Sequence, residues 1–573
     1  MLKLLFVRQD LVIQEIVTET IAIAALLTLL FFTQRYVSTW FRAAERGLRR
    51  IARRQGLSVT LIGLMALGSS ATLSLVGQMP HPRIHDEFSY ILAADTFAQG
   101  RLSNPTHPLW VHFESMHIIQ EPTYASKYPP AQGLMLGAGQ LIGGHAIVGV
   151  WISTGLACAA IYWMLLAWLP PWWALLGALF AVLHPGILLM WGQSYWGGSV
   201  AVTGGALVFG GLRRIMRRPC TRDSLLLGLG LAILANSRPY EGLVASLPVA
   251  FVLLAWMLGK KGPPIQVSIK RIVLPTVVIL ALTAGAMAFY NLRVTGNAFK
   301  MPYLLHEATY AMAPFFLWQS PRPAPMYRHE ILRFHHLRAL EHYASQWSVR
   351  GFAAASVEKL KSLWKFYHGS RGIRLALTVP LLMLPWALRN RWTRFALLTC
   401  AVLIAGLAIE TWAHPHYAAP ITGLVCVLVL QAMRHLRLWH RHGRLTGRLI
   451  VWTIAIVTIA SFIVTLVQQA RIKASAWASE RSQILAQLKQ DGRRHLVIVP
   501  QRPLHPEYGK RPQEWVYNEA DIDGAKVVWA REMDTAQNRK LLEYFKGRSV
   551  WLLKVDEDHS SPKLLPYILE SRP

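Results

Sequence analysis

Residues 272–290 read IVLPTVVILALTAGAMAFY, and no charged side chain falls between Arg271 and Arg293. Wound as a helix, an apolar run of roughly 20 residues matches the hydrocarbon thickness of a bilayer. Similar blocks begin near residues 13, 57, 145, 171, 197, 223, 241, 372, 394, 416 and 447. Together they give about 11–12 candidate spans. Glu15 and Glu19 interrupt the first of these, and the run that ends near Phe32 leads into a basic stretch instead of a small-residue cleavage site. The predicted fold class is mostly α, a polytopic membrane helix bundle. Composition agrees: 53% of the chain is hydrophobic and 16% charged, where soluble domains carry about a quarter charged residues.

The formal net charge is +30. In a soluble chain that balance would point to nucleic acid. Here the basic residues sit in short gaps between apolar blocks. One cluster runs from Arg35 to Arg54, and others are centred on Arg213–Arg218, Lys260–Arg271, Arg389–Arg394 and Arg434–Arg448. An even number of blocks separates each cluster from the next, so all five share one face, the cytoplasmic one under the positive-inside rule. The expected partner is therefore the bilayer and not nucleic acid. Two long outer segments follow, about 78–144 and 291–371, and most carboxylates of the membrane region fall on that outer side, among them Asp86, Glu87, Glu114, Glu241, Glu307 and Glu410. The four cysteines show no metal or disulfide spacing.

Beyond about residue 468 the pattern changes. Leu496–Val499, Lys526–Trp529 and Ser549–Val555 read as short buried strands, and Asp534–Phe545 reads as a helix with Asp534 as its N-cap. The predicted organisation is an N-terminal apolar segment and basic loop (1–56), a membrane domain (57–468) and a small extracytoplasmic α/β domain (469–573).

Chemistry concentrates at four places. His85-Asp86-Glu87-Phe88-Ser89-Tyr90 opens the first outer segment. A carboxylate near apolar surface suits a general base, whereas an Asp before a helix also serves as a cap. Lys127-Tyr128-Pro129-Pro130 lies just before apolar residues resume. Its lysine is a point charge suited to a phosphate, or a side chain snorkelling at the interface. Arg238 and Glu241 sit in a tight outer connection, where the arginine either forks onto a phosphate or pairs with the glutamate. Near residue 416, His416 and Tyr417 precede Pro420 at another outer boundary. Histidines are dense in the first outer segment (His81, His85, His107, His112, His117), and Asp86, Glu87 and His85 are a candidate divalent-metal set.

The Asp-Glu pair with Tyr90 three residues on, followed by a helix ending Gln99-Gly100-Arg101-Leu102, resembles the first outer loop of the C-type (GT-C fold) glycosyltransferases. The resemblance is to the branch with the protein O-mannosyltransferases and lipid A aminoarabinose transferases, and it covers about residues 57–435. It implies Asp86 as catalytic base, assisted by Glu87. It also implies donor-phosphate binding by Lys127 and Arg238, and substrate contacts from Tyr90, Glu241, His416 and Tyr417. This chain inserts Tyr128 where the family has Lys-Pro-Pro, which leaves the alignment of Lys127 open by one residue. The implied activity is transfer of a hexose or pentose from a polyprenyl-phosphate donor to a glycan, lipid or protein acceptor, with inversion, on the outer face of a bacterial-type inner membrane. No cofactor is certain, and a divalent metal stays open. The competing readings are a transporter or flippase of lipid-linked glycans, or a non-catalytic assembly subunit.

Overall fold

The computed structural model describes residues 34–368, 378–440, 446–471, 476–500, 513–554 and 562–568. The apolar block near residue 13 and the start of the one near 372 lie outside them. The chain runs through α1 (Gln34–Arg53), α2 (Gln55–Val76), α3 (His85–Ala98), β1 (Asn104–Pro105), β2 (Ile118–Ile119), β3 (Thr123–Ser126), α4 (Pro130–Gly143), α5 (Ala146–Trp168), α6 (Pro171–Val182), α7 (Gly198–Ile215), α8 (Thr221–Ala235) and α9 (Pro239–Leu258). Then come α10 (Ile265–Thr295), α11 (Pro302–Tyr310), α12 (Glu330–Ala344), α13 (Val349–His368), α14 (Arg391–Ala408), α15 (Thr422–Arg437) and α16 (Thr446–Arg471). The C-terminal region holds α17 (Ala476–Gln490), β4 (His495–Val499), β5 (Val527–Arg531), α18 (Thr535–Tyr544), β6 (Ser549–Lys554) and β7 (Lys563–Pro566).

Seven helices among the described residues are long and apolar enough to cross a membrane, which makes this a multi-pass membrane protein. They are α2, α5, α9, α10, α14, the Ala419–Arg437 segment containing α15, and Thr446–Val464 of α16. The count is eight if α6 and the bent continuation Gly186–Gln193 form one span. The bend is 43° and sits at His184-Pro185, because a proline removes a helical donor and disfavours helix in the residue before it. Two predicted spans are shorter or less apolar than a full crossing. Helix α8 has 15 residues, and α7 is rich in glycine and ends in Arg213 and Arg214.

The outward faces explain why this bundle needs lipid. Leu243, Leu247, Phe251, Leu254 and Leu258 on α9, and Leu282 and Phe289 on α10, are all largely exposed. Each such side chain left in water forgoes about 1.5–3 kcal/mol of burial. The opposite stripe of the same helices packs into a core that includes Tyr162, Met164, Phe209, Leu403 and Leu424.

Between α2 and α5, the outer segment folds as a helix under a three-stranded sheet of order β1-β3-β2. Asn104 pairs with Tyr124, and Ile118 with Ser126. Ser89 of α3 pins the hairpin, its hydroxyl donating to His117 O (2.7 Å) and lying 2.8 Å from the Ser126 hydroxyl. His117 and Lys127 are thereby fixed side by side above Asp86.

The C-terminal α/β unit has strand order β5-β4-β6-β7, with β4 parallel to both neighbours and β7 antiparallel. Asp534 caps α18 by accepting the Gln537 N–H (2.8 Å). This unit shares a core with the outer segment: Phe88, Leu92, Phe113, Ile118 and Tyr124 pack with Leu496, Ile498 and Tyr517.

Candidate active site

Asp86 lies in the first turn of α3, in the segment that follows the membrane-length helix ending at Val76. Its Oδ1 accepts a hydrogen bond from the Tyr128 hydroxyl and lies 3.4 Å from His117 Nε2. The Asp86 side chain is 36% exposed, so the carboxylate keeps access to incoming groups. The His117 ring is driven well below the usual histidine range, first by burial and then by nearby Lys127 and its histidine neighbours. It stands beside Asp86 as a neutral group, and its Nδ1 is buried without a partner. The His117 backbone is left-handed (φ 66°), a conformation that non-glycine residues adopt only when their surroundings impose it.

The neighbouring carboxylate has a different environment. Glu87 is 3% exposed. Its Oε2 accepts the Arg83 N–H (2.6 Å) and Ile84 N–H (3.3 Å), and its Oε1 accepts the Tyr195 N–H (2.9 Å). Burial pushes its carboxyl up to about 7, against the pull of those amides. Glu87 thus satisfies orphan donors at a helix start and ties α3 to the loop before α7. It faces backbone, away from the space in front of Asp86.

Lys127 is buried and sits 3.5 Å from Glu307 of α11, with its ammonium 4.9 Å above the Tyr303 ring and 5.5 Å from that of Tyr128. Glu307 also lies near His306 (3.8 Å) and Arg322 (3.9 Å). Burial works against its charge, but Lys127 and His306 hold its carboxyl below the ordinary value. Arg238, just before α9, lies 3.6 Å from Glu241 and 4.4 Å over the Tyr417 ring. Tyr90 stacks on Tyr128 at 4.4 Å. The Tyr303 hydroxyl is pushed well up by burial first, and it feels Tyr417, Glu307, Arg238 and Asp86 together. Both proposed phosphate ligands and the proposed base therefore converge on one tyrosine-lined recess. Beside Lys127, a small recess lies between Pro129, Asn236, Met287, Met301 and Tyr303.

His416 is buried at 4.8 Å from Trp196 and 4.9 Å from Tyr417. The turn that carries both is pressed onto α7, where a Cβ on Gly205 would run into the Pro420 carbonyl. Only glycine permits that approach.

Asp86, Glu87 and His85 point at three different sets of partners. Asp86 meets Tyr128 and His117, Glu87 meets backbone amides, and His85 Nδ1 lies 3.1 Å from the Tyr517 hydroxyl. They do not share a ligand position. Among the described residues, no group of three or more His, Cys, Asp or Glu side chains is arranged to hold a metal ion.

No protein-family model and no curated protein matches the chain. Solved structures match it at low identity. ArnT from Cupriavidus metallidurans in the apo state is 12% identical, covering 89% of this chain and 93% of its own, with a TM-score of 0.46. The Archaeoglobus fulgidus oligosaccharyltransferase in complex with Zn and sulfate is 11% identical over 76% of this chain, with a TM-score of 0.44. The chain spans 60% of the length of that archaeal protein. A second structure, of the archaeal oligosaccharyltransferase AglB with an inhibitory peptide and a dolichol-phosphate, is 11% identical over 77% of this chain, with a TM-score of 0.44.

Several residues at the recess were not singled out by motif. Glu307, His306, His335 and His336 come from the second outer segment. The His117 ring lies 5.3 Å from His335 and 6.1 Å from His306. Burial is the first cause that lowers these rings, His306 to about 4 and His336 to about 3. The pair His335-His336 was the one available signal, an uncommon doublet in an outer segment. Tyr517 comes from the C-terminal unit. It stacks on Phe88 at 4.1 Å and reaches His85. Nothing in its local sequence marks it.

Proposed function

We propose that this protein is a membrane glycosyltransferase that moves a sugar from a polyprenyl-phosphate carrier to an acceptor on the extracytoplasmic side. The observation that carries the reading is the convergence of an accessible carboxylate, Asp86, with two cations, Lys127 and Arg238, around Tyr303 at one end of the bundle. The arginine clusters at the opposite helix ends support the orientation.

In the proposed reaction, the lipid tail lies among the apolar outer surfaces and the phosphate enters beside Lys127. There it displaces Glu307 as the lysine's counter-ion. Asp86 takes the proton of an acceptor O–H or N–H. That atom attacks the anomeric carbon from the face opposite the phosphate, the bond to the phosphate oxygen breaks, and the configuration inverts. The phosphate leaves as an anion without an added proton, and its charge is stabilised by Lys127 and Arg238. Tyr128 and neutral His117 aim the carboxylate without neutralising it with a full positive charge. Glu241 and Tyr417 hold Arg238 in place, and Tyr90 and His416 line the same end. No step runs through a metal.

The deciding experiment is transfer from a panel of synthetic polyprenyl-phosphate sugars by purified protein, with Asp86→Asn in parallel. Loss of transfer and of donor hydrolysis in a variant that still folds supports the reading. Wild-type turnover by Asp86→Asn refutes Asp86 as the base, and donor binding without turnover by the wild type refutes the enzyme.

A further inference from the structure

The opposite end of the bundle holds a second polar recess that the proposed reaction does not use. Helices α2 and α15 each run between the two ends. Helix α2 starts beside α1 and ends near Asp86, while α15 starts just after Tyr417 and ends at Arg437. At that far end Glu45 of α1 is buried beneath three guanidinium groups. Arg437 NH2 donates to both of its oxygens (2.9 and 3.0 Å), Arg448 Nε donates at 3.2 Å, and Arg49 lies 3.9 Å away. The Trp452 indole N–H also donates to Glu45 (3.3 Å). Three guanidiniums gathered on one carboxylate leave basic groups in excess.

A guanidinium has five N–H donors in a fixed fork, and Glu45 engages only one edge of each. The Arg437 and Arg49 guanidiniums both lie over the Trp172 ring, at 4.8 and 5.6 Å. Beside them lies a shallow recess lined by Glu45 and otherwise by an apolar wall of Leu176, Val451 and Ala455. A cationic rim over an apolar wall at the end of membrane-length helices suits an amphiphile with a phosphate head. Helix α1 adds to the same face, with Arg42, Arg46, Arg50 and Arg53 exposed to solvent and Trp40 78% exposed. Basic side chains beside an apolar anchor suit an anionic bilayer surface.

We infer that the Arg49–Arg437–Arg448 cluster, on the face opposite Asp86, is a binding site for an anionic phospholipid, whose phosphodiester sits on the three arginines and whose acyl chain lies along the apolar helix surface beside them. Glu45 aligns the arginines from behind. The site is independent of the transfer reaction proposed above.

The test uses the full chain purified in detergent and stripped of lipid. Retention of phosphatidylglycerol, phosphatidylcholine or inorganic phosphate is read by native mass spectrometry. Phosphatidylglycerol is expected to be retained over phosphatidylcholine, and inorganic phosphate at the same concentration is expected not to displace it. Arg448→Gln and, separately, Arg49→Gln should each lower that preference about fivefold, the change expected for roughly 1 kcal/mol per basic residue at an anionic lipid surface. Arg49 is half exposed, so its replacement tests the site even where Arg448→Gln fails to fold. Arg218→Gln, on the same face but outside the recess, should leave the preference unchanged. Equal retention of the two lipids, displacement by inorganic phosphate alone, or an equal loss in Arg218→Gln would each overturn the inference.

Discussion

The two ends of the bundle hold their carboxylates in opposite ways. Glu45 is surrounded by Arg437, Arg448 and Arg49, and is 9% exposed. Asp86 is met by a phenol and a neutral imidazole, and remains 36% exposed. Charge-assisted bonds lock a carboxylate and lower its basicity. Neutral neighbours position it and leave it open to an incoming group. The difference shows why counting acids and bases near a helix end says little about chemistry: the kind of donor decides whether a carboxylate is structure or reagent.

The largest effect that would break this contrast is on activity. Asp86→Asn should lower transfer by about 10²–10⁴-fold, the range of general-base catalysis, without changing the melting temperature in detergent. The mirror-image prediction concerns stability. Glu45→Ala leaves three guanidiniums crowded without a counter-charge. Unfolding should become easier by about 2–4 kcal/mol, toward the lower part of the range for a broken buried pair because Arg49 is half in water. Melting in detergent measures it, and an unchanged melting point would mean that the cluster contributes nothing to cohesion.

Acid sharpens the contrast further, because buried histidines gather at the Asp86 end. In the folded chain burial lowers His306 to about 4 and His329 and His336 to about 3, from an ordinary 6.5. Unfolded, those rings take up protons below 6.5 while the folded ones do not. Their contribution is complete above that pH and is lost as pH falls from 6.5 toward 4. Glu87, raised to about 7, and Glu410, raised to about 9, act the other way above 4.5, but the histidines lowered by burial, His117 and His335 among them, outnumber the raised carboxyls. Stability should therefore fall on acidification from pH 7 to 5, and His306→Asn should flatten that slope. The smallest effect expected is that of Tyr517→Phe. Losing one hydroxyl contact to His85 costs about 1 kcal/mol, read as a small drop in melting temperature.

The membrane class and the position of Asp86 were legible because both are local signals. An apolar run has a length, and an Asp-Glu pair at its end is rare enough to notice. Lys127 and Arg238 were legible for the same reason, as charges near hydrocarbon. Glu307 and Tyr517 were not, since 180 and 390 residues separate them from Lys127, and only the packing of α11 and of the C-terminal unit brings them to the recess. Two of the candidate spans are less clear as crossings among the described residues. Helices α7 and α8 are apolar enough to notice in sequence, but α8 is too short and α7 too rich in glycine to pass as full crossings. Glu87 was misread in role because a sequence does not show that three backbone amides await its carboxylate.

The shared core of the outer segment and the C-terminal unit also sets an order of events in synthesis. Phe88 and His85 leave the ribosome early, but the Tyr517 that stacks on one and bonds the other is made more than 400 residues later. Until that later stretch has been made and folded, α3 lacks one of its walls, so each newly made copy finishes the surroundings of Asp86 only once its C-terminal unit is in place.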